Sequence, residues 1–166
     1  MQAQAMLAQF NHIAGGTVPV LESIRDEDID WRPHEKSWTL GALAGHIANL
    51  PNWCTATLGS SEFDVMDSGD DLRTEYDNAA DIVAAFKASC ERAVEALASA
   101  SDEDLASPWT LLVGGEARFT MPKGAVVRGF ILDHIIHHRA QVGMCLRLLG
   151  IPVPQTMGPT ADYPDM

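Results

Sequence analysis

The sequence predicts an all-α fold, a four-helix bundle with one small β-hairpin between the third and fourth helices. Four stretches of the chain carry apolar residues at helical spacing. The segments between them are rich in Pro, Gly, Asp and Ser and are short enough to be connections within one domain. Because each amphipathic helix can bury its apolar stripe only against its neighbours, a single bundle over residues 1–166 is the simplest arrangement.

The first helix is expected over residues 2–24. Gly15, Gly16 and Pro19 should weaken or bend it, since glycine costs conformational entropy and an internal proline removes a hydrogen bond. A loop around Pro33, over residues 31–37, follows.

The second helix should begin near Thr39, whose hydroxyl makes it a suitable N-cap, and should be disturbed at Pro51. His46 lies within its apolar stripe. The stripe consists of Leu40, Leu43, Ile47 and Leu50.

A third helix is predicted over residues 78–100, with Asp81 near its start. Its expected core residues are Ile82, Phe86, Val94 and Leu97. Two β-prone runs over residues 109–121, joined by Gly114 and Gly115, then predict a hairpin, since glycine tolerates the positive φ of a tight turn. The last helix should cover residues 123–149 and end at Gly150.

Composition limits the possible partners. The chain has 166 residues, 46% of them apolar, so it can bury a core without disulfides or a metal ion. Its net charge of -12 repels phosphate backbones and anionic membranes, so we expect neither nucleic acid nor a membrane as a partner. Acidic stretches at residues 26–28, 70–71 and 102–104 are expected in solvated loops or helix starts.

No apolar run approaches the roughly 20 residues that a membrane span needs, and the first ten residues do not resemble a signal peptide. We therefore expect a cytoplasmic protein. The three cysteines, Cys54, Cys90 and Cys145, are widely spaced without a C-x-x-C pair, which indicates reduced thiols rather than disulfides.

Three of the six histidines lie close together on the last helix. At roughly 100° per residue, His134 and His138 are about 40° apart on its apolar side, whereas His137 lies about 60° round the other way. Imidazoles at positions i and i+4 can reach one common point, as in many metal sites. His46 would add a third imidazole from another helix, and three histidines leave an open coordination position.

A plainer interpretation stays open on the residues alone. A single histidine on an apolar face is more often a hydrogen-bonded core residue than a metal ligand, and an isolated H-x-x-x-H also occurs by chance. Three imidazoles directed at one core are costly to bury without a shared partner, which favours a metal ion. A metal site and an ordinary core cluster are both compatible with these spacings.

Two stretches carry a resemblance to a known family. W-R-P-H-E-K-S-W-T-L-G-A-L-A-G-H at 31–46 and H-I-I-H-H-R-A-Q at 134–141 resemble the DinB (DinB/YfiT-like) family of metalloenzymes. The resemblance spans nearly the whole chain and implies a four-helix bundle, often a homodimer. It implies that His46, His134 and His138 bind nickel, zinc or another divalent ion. Ala140 stands where relatives often have Gly, a small change that leaves the site assignment intact.

The resemblance also suggests a chemistry. The better characterised relatives resemble thiol S-transferases and isomerases that use a low-molecular-weight thiol such as bacillithiol or mycothiol. A divalent ion with an open position binds a thiol as thiolate or lowers the pKa of bound water toward about 7. We therefore expect a small-molecule substrate, with thiol transfer as the first prediction and metal-dependent hydrolysis as the second.

Other side chains near the histidines have structural interpretations that we prefer to a role in the site. A helix-to-helix hydrogen bond is expected for Asn49 and Gln141, and an exposed position for Asp133 and Arg139. Cys145 lies two turns, about 10 Å, beyond the histidine pair and is expected as a small buried residue. The four tryptophans are expected in the core more than in a pocket wall.

Two alternatives to an enzyme remain. A bound ion could merely hold two helices together in a non-catalytic metal-binding bundle, with a closed coordination sphere and no cavity. The histidines could also be core residues of a bundle that binds no metal.

Overall fold

Four helical stretches pack around one hydrophobic cluster in the structure, a computed structural model that describes residues 1–67 and 75–165. The acidic pair at residues 70–71 lies outside the described residues. The helices are α1 (Gln2–Glu22), α2 (Leu40–Asn49), α3 (Asn52–Gly59), α4 (Ala79–Ser99), α5 (Asp102–Ala106), α6 (Lys123–Val126) and α7 (Asp133–Leu148). The strands are β1 (Glu62–Asp64), β2 (Pro108–Val113) and β3 (Glu116–Pro122). None of the described helices is both long and apolar enough to cross a bilayer.

The arrangement of the helices brings α2 against α7. Both α1 and α2 pack on α4 and on α7, while the small sheet contacts α3 and α6. The centre of the core is filled by fully buried side chains from all four stretches, among them Phe10, Ile47, Phe86 and Leu146. Residues on facing turns of α2 and α7 can therefore meet at one interface.

Helix α1 is continuous through both glycines and Pro19, and it ends two residues earlier than predicted. Burial of Ile13, Thr17 and Val20 against the core outweighs the roughly 1 kcal/mol that each internal glycine costs. Gly16 is also needed for packing. A Cβ there would lie 3.1 Å from Nη1 of Arg139 and 3.3 Å from the Thr156 carbonyl oxygen.

Helix α2 begins as predicted after Thr39, whose hydroxyl accepts a hydrogen bond from the Ala42 N–H. The predicted stripe of Leu40, Leu43, Ile47 and Leu50 is buried. Pro51 does not end the helical stretch. It interrupts it briefly and precedes the first residue of α3, a position where proline is tolerated.

The start of helix α4 is capped by Asn78, which accepts the Asp81 N–H. Ile82, Phe86 and Leu97 are buried as predicted, while Val94 is only partly buried. The acidic stretch at 102–104 lies in the first turn of α5, where carboxylates complement the helix dipole.

Strands β2 and β3 form an antiparallel hairpin through Gly114 and Gly115, whose φ angles are 62° and 80°. Strand β1 pairs parallel to β2 and was not predicted. It has only three residues, too few for an alternating pattern, and the Asp64 carboxylate fastens it by accepting the N–H groups of Gly114 and Gly115.

The last helical stretch continues from α6 to α7 through a π-helical segment, Val127–Leu132. It ends before Gly150, which has a φ of 71°. The buried side of α7 is centred on Ile135, Arg139, Val142 and Leu146. His134 and His138 consequently lie at the flank of this side and are half-buried, whereas the helical wheel grouped them with its apolar residues. A π turn adds a residue and shifts the helix face that follows it, which a regular wheel cannot show.

Candidate metal centre

The three histidines singled out in the sequence meet at the interface between α2 and α7. His46 lies in the last turns of α2, and His134 and His138 lie in the first turns of α7. One ring nitrogen from each comes within 4.8 Å of the others, a group that could hold a metal ion. All three side chains are half-buried, so the cluster is at the flank of the bundle, beside solvent.

The same nitrogen of each ring points to the shared centre. Nε2 of His134 lies 3.4 Å from Nε2 of His46 and 2.8 Å from Nε2 of His138. An ion about 2.0–2.1 Å from two imidazole nitrogens holds them roughly 2.9 Å apart at a right angle and roughly 3.3 Å apart at a tetrahedral angle. These two spacings therefore fit a divalent ion such as zinc or nickel.

Hydrogen bonds on the opposite side of two rings select the tautomer that a metal needs. Nδ1 of His134 donates to the Phe130 carbonyl over 3.3 Å, and Nδ1 of His138 donates to Oε1 of Gln141 over 2.7 Å. With the proton on Nδ1, the lone pair is on Nε2, which faces the centre. Neutral rings whose lone pairs face one another repel unless a cation lies between them.

Burial keeps these imidazoles neutral. It lowers the pKa of His46 to about 4, helped by the nearby rings of His138 and His134. Burial also lowers the pKa of His134 and of His138. All three rings are therefore unprotonated near neutral pH, the form that binds a metal ion.

Trp38 covers the histidine cluster from the solvent side. The centroid of its indole lies 5.2 Å from that of the His46 ring, which it meets edge on. It is stacked on the His138 ring, with the two ring centroids 5.9 Å apart. The side chain is 55% exposed, so the expectation of a core role does not hold for it. Trp109 does fit that expectation, since it is fully buried.

Two neighbours differ from the roles expected for them. Gln141 does not link two helices; it bonds His138 within α7. Arg139 is 4% exposed, not on the surface, and its Nη1 donates to the Ile13 carbonyl of α1 and to Oγ1 of Thr17. The guanidinium therefore links α7 to α1 by hydrogen bonds, at the residue that follows His138.

The other residues considered for the site lie outside the histidine cluster. His137 is exposed and outside the cluster, although its ring packs edge on against His138. Asp133 is exposed, and Cys145 is buried outside the cluster. Asn49 is buried and accepts a hydrogen bond from the Tyr76 hydroxyl, which lies in the segment before α4 and not on a second helix as expected.

A cavity of about 650 Å³ opens beside the cluster. His46 and Trp38 form part of its wall, together with Asp26, Ile29 and Asp30, one side of α2 as far as Asn49, and the segment 75–77. Sequence reasoning did not find this cavity, because its walls come from segments far apart in the chain. A small molecule in it would lie next to His46, one of the three histidines that could hold a metal ion.

Comparisons with known proteins agree with this fold. The family model of the DinB superfamily matches residues 9–142 of the chain. The uncharacterized protein YrdA of Bacillus subtilis (strain 168) is 24% identical over 162 residues, which cover 94% of this chain and 88% of YrdA.

Solved structures are similar over most of their length. A DinB-like protein from Bacillus cereus superposes with a TM-score of 0.73 at 22% identity, covering 92% of this chain and 95% of its own. The DinB-like protein YjoA of Bacillus subtilis superposes with a TM-score of 0.71 at 17% sequence identity. The match covers 92% of this chain and 97% of YjoA. YfiT of Bacillus subtilis superposes with a TM-score of 0.63 at 14% sequence identity, and the match covers 89% of this chain and 87% of YfiT. It is described as a probable metal-dependent hydrolase with an unusual four-helix bundle topology. At these identities the likeness is one of fold.

Proposed function

Since this chain belongs to the DinB superfamily, we propose that it is a metal-dependent enzyme whose divalent ion is held by His46, His134 and His138. The convergence of three Nε2 atoms beside an open cavity is the observation that carries the proposal. When bound, such an ion turns a coordinated thiol or water into a nucleophile at neutral pH.

Thiol transfer is the reaction we propose first, with a low-molecular-weight thiol as co-substrate and zinc or nickel as the ion. In this reaction the protein's own groups bind and orient. Gln141 and the Phe130 carbonyl keep the imidazoles in the ligand tautomer, and Trp38 shields the site from water. Among the described residues no carboxylate hydrogen-bonds to the three histidines, so a nucleophile activated by the ion itself suits the site better than one needing a protein base.

Hydrolysis is the second candidate. It is favoured by the likeness to YfiT, whose description names metal-dependent hydrolysis. The same ligands and the same cavity would serve it, with water in place of the thiol.

Metal analysis of single variants tests the proposal. We expect the purified chain to retain zinc or nickel, and His46→Ala, His134→Ala and His138→Ala to bind it at least about a hundredfold more weakly. His137→Ala is the matched control, because that exposed histidine lies outside the cluster. Equal binding by all four variants would overturn the metal site.

Activity is measured next on the loaded protein. A screen of thiol transfer to electrophiles and of ester and amide hydrolysis should reveal one reaction that chelation abolishes and added metal restores. A chain that binds metal but fails both screens would be a non-catalytic metal protein.

A further inference from the structure

The cavity beside the histidine cluster is strongly acidic. Its wall includes four carboxylate side chains and no lysine or arginine among the described residues. The carboxylates come from two segments of the chain, one before α2 and one after α3. They are Asp26, Asp30, Glu75 and Asp77.

These carboxylates are available to a ligand. Asp26 caps α4 by accepting the Ala79 N–H with one oxygen, while Asp30, Glu75 and Asp77 are exposed at the cavity. Four negative charges outnumber the two positive charges of a divalent ion held by neutral imidazoles. The net charge of the cavity wall therefore stays negative even when the ion is counted with it.

The segment that carries two of these carboxylates is held in position. The Tyr76 hydroxyl donates to Oδ1 of Asn49 over 2.8 Å, and Asn49 is 4% exposed. Asn49 lies one turn beyond His46 on α2. The link keeps Glu75 and Asp77 at the cavity wall, a short distance along α2 from a metal ligand.

Trp38 adds an aromatic surface to the same wall. Its side chain is 55% exposed where it lies over the imidazoles. An exposed indole face attracts organic cations and has no comparable attraction for anions.

We propose that this cavity is the substrate pocket of the metal site and that it selects a substrate carrying a protonated amine. The reacting end, a thiol or another group that a metal binds, lies at the histidines, and the ammonium group lies among the carboxylates. A substrate bearing carboxylates or phosphates in place of the amine is disfavoured. This inference rests on the proposed metal-dependent function.

The test compares three small thiols of similar size on protein loaded with Co²⁺, whose visible spectrum reports a thiolate ligand. Cysteamine carries an ammonium group, 2-mercaptoethanol is neutral and mercaptoacetate is anionic. We expect cysteamine to bind roughly fivefold more tightly than 2-mercaptoethanol, and mercaptoacetate to bind most weakly. Raising the salt concentration should reduce these differences.

Variants separate the cavity's charge from the thiols' own acidity. Asp30→Asn with Asp77→Asn should remove most of the cysteamine preference, measured as the ratio of its affinity to that of 2-mercaptoethanol. Glu95→Gln with Glu103→Gln, two exposed carboxylates outside the cavity wall, is the matched control and should keep the preference.

The outcomes distinguish the two proposals. The amine selectivity is overturned if thiol binding does not depend on ligand charge, or if the preference survives in the Asp30 and Asp77 variant. Neither result contradicts the metal centre. Failure of the chain to bind Co²⁺ at the histidines overturns both.

Discussion

Gln141 accepts a hydrogen bond from Nδ1 of His138 one turn along α7, over 2.7 Å. The contact does for His138 what the Phe130 carbonyl does for His134, since each acceptor keeps the proton on Nδ1 and the lone pair on Nε2. One imidazole is thus oriented by the main chain and the other by a side chain. Only the second can be altered by substitution without disturbing the helix.

Gln141→Leu is expected to weaken zinc binding roughly 10- to 100-fold, because the His138 ring loses the acceptor that fixes its tautomer. Competition with a chromogenic chelator measures the affinity. Since Gln141 is exposed, thermal unfolding of the metal-free protein should not change. Gln141→Glu keeps an acceptor and should bind zinc as the natural chain does; equal affinity in the Leu variant would show that helix packing alone orients the ring.

Two neighbouring glycines in α1 should respond oppositely to alanine. Gly15→Ala should stabilise the protein by about 0.5–1 kcal/mol through helix propensity, because a Cβ there meets nothing within 4 Å. Gly16→Ala should destabilise it, since the new Cβ approaches Arg139 and the Thr156 carbonyl, neither of which can move freely. Urea unfolding of the two metal-free variants checks the sign, and stabilisation by both would mean that the contact at Gly16 yields.

Most helix positions could be predicted because local signals agree with burial. Thr39 caps α2, Asn78 caps α4, and the glycines at 114 and 115 form the hairpin turn. The single helix α1 was also predicted, and tertiary packing supports it although Pro19 and two glycines lower its helix propensity. Strand β1 depends on pairing with β2, a contact that no local pattern shows.

At the site, helix spacing and the family resemblance selected His46, His134 and His138, which the structure brings together. The burial of Arg139 was missed. A charged residue at the centre of an apolar face looks like surface until its acceptors on α1 are known. The acidic cavity was also missed, since residues 26–30 and 75–77 come together only in the folded chain.

Two of the thiols, one buried and one partly buried, should resist alkylation. Burial raises the pKa of Cys54 and of Cys90 to about 12, so at pH 8 almost none of either is the reactive thiolate. Iodoacetamide should label these two cysteines slowly in the folded protein and completely after unfolding in guanidinium chloride. Mass spectrometry of the labelled peptides gives the extent, and rapid native labelling of Cys54 would contradict the packing described for it.

Trp38 should report metal binding through its fluorescence. Its ring contacts His46 and His138, whereas Trp53 packs on Phe63 away from the cluster. Titration with Ni²⁺ should therefore quench the indole emission, because a paramagnetic ion at the imidazoles would lie next to this ring. Trp38→Phe should lose most of the quenching and still bind zinc in competition assays, while Trp53→Phe should retain it. Quenching that persists in Trp38→Phe would place the ion near another tryptophan and away from the three histidines.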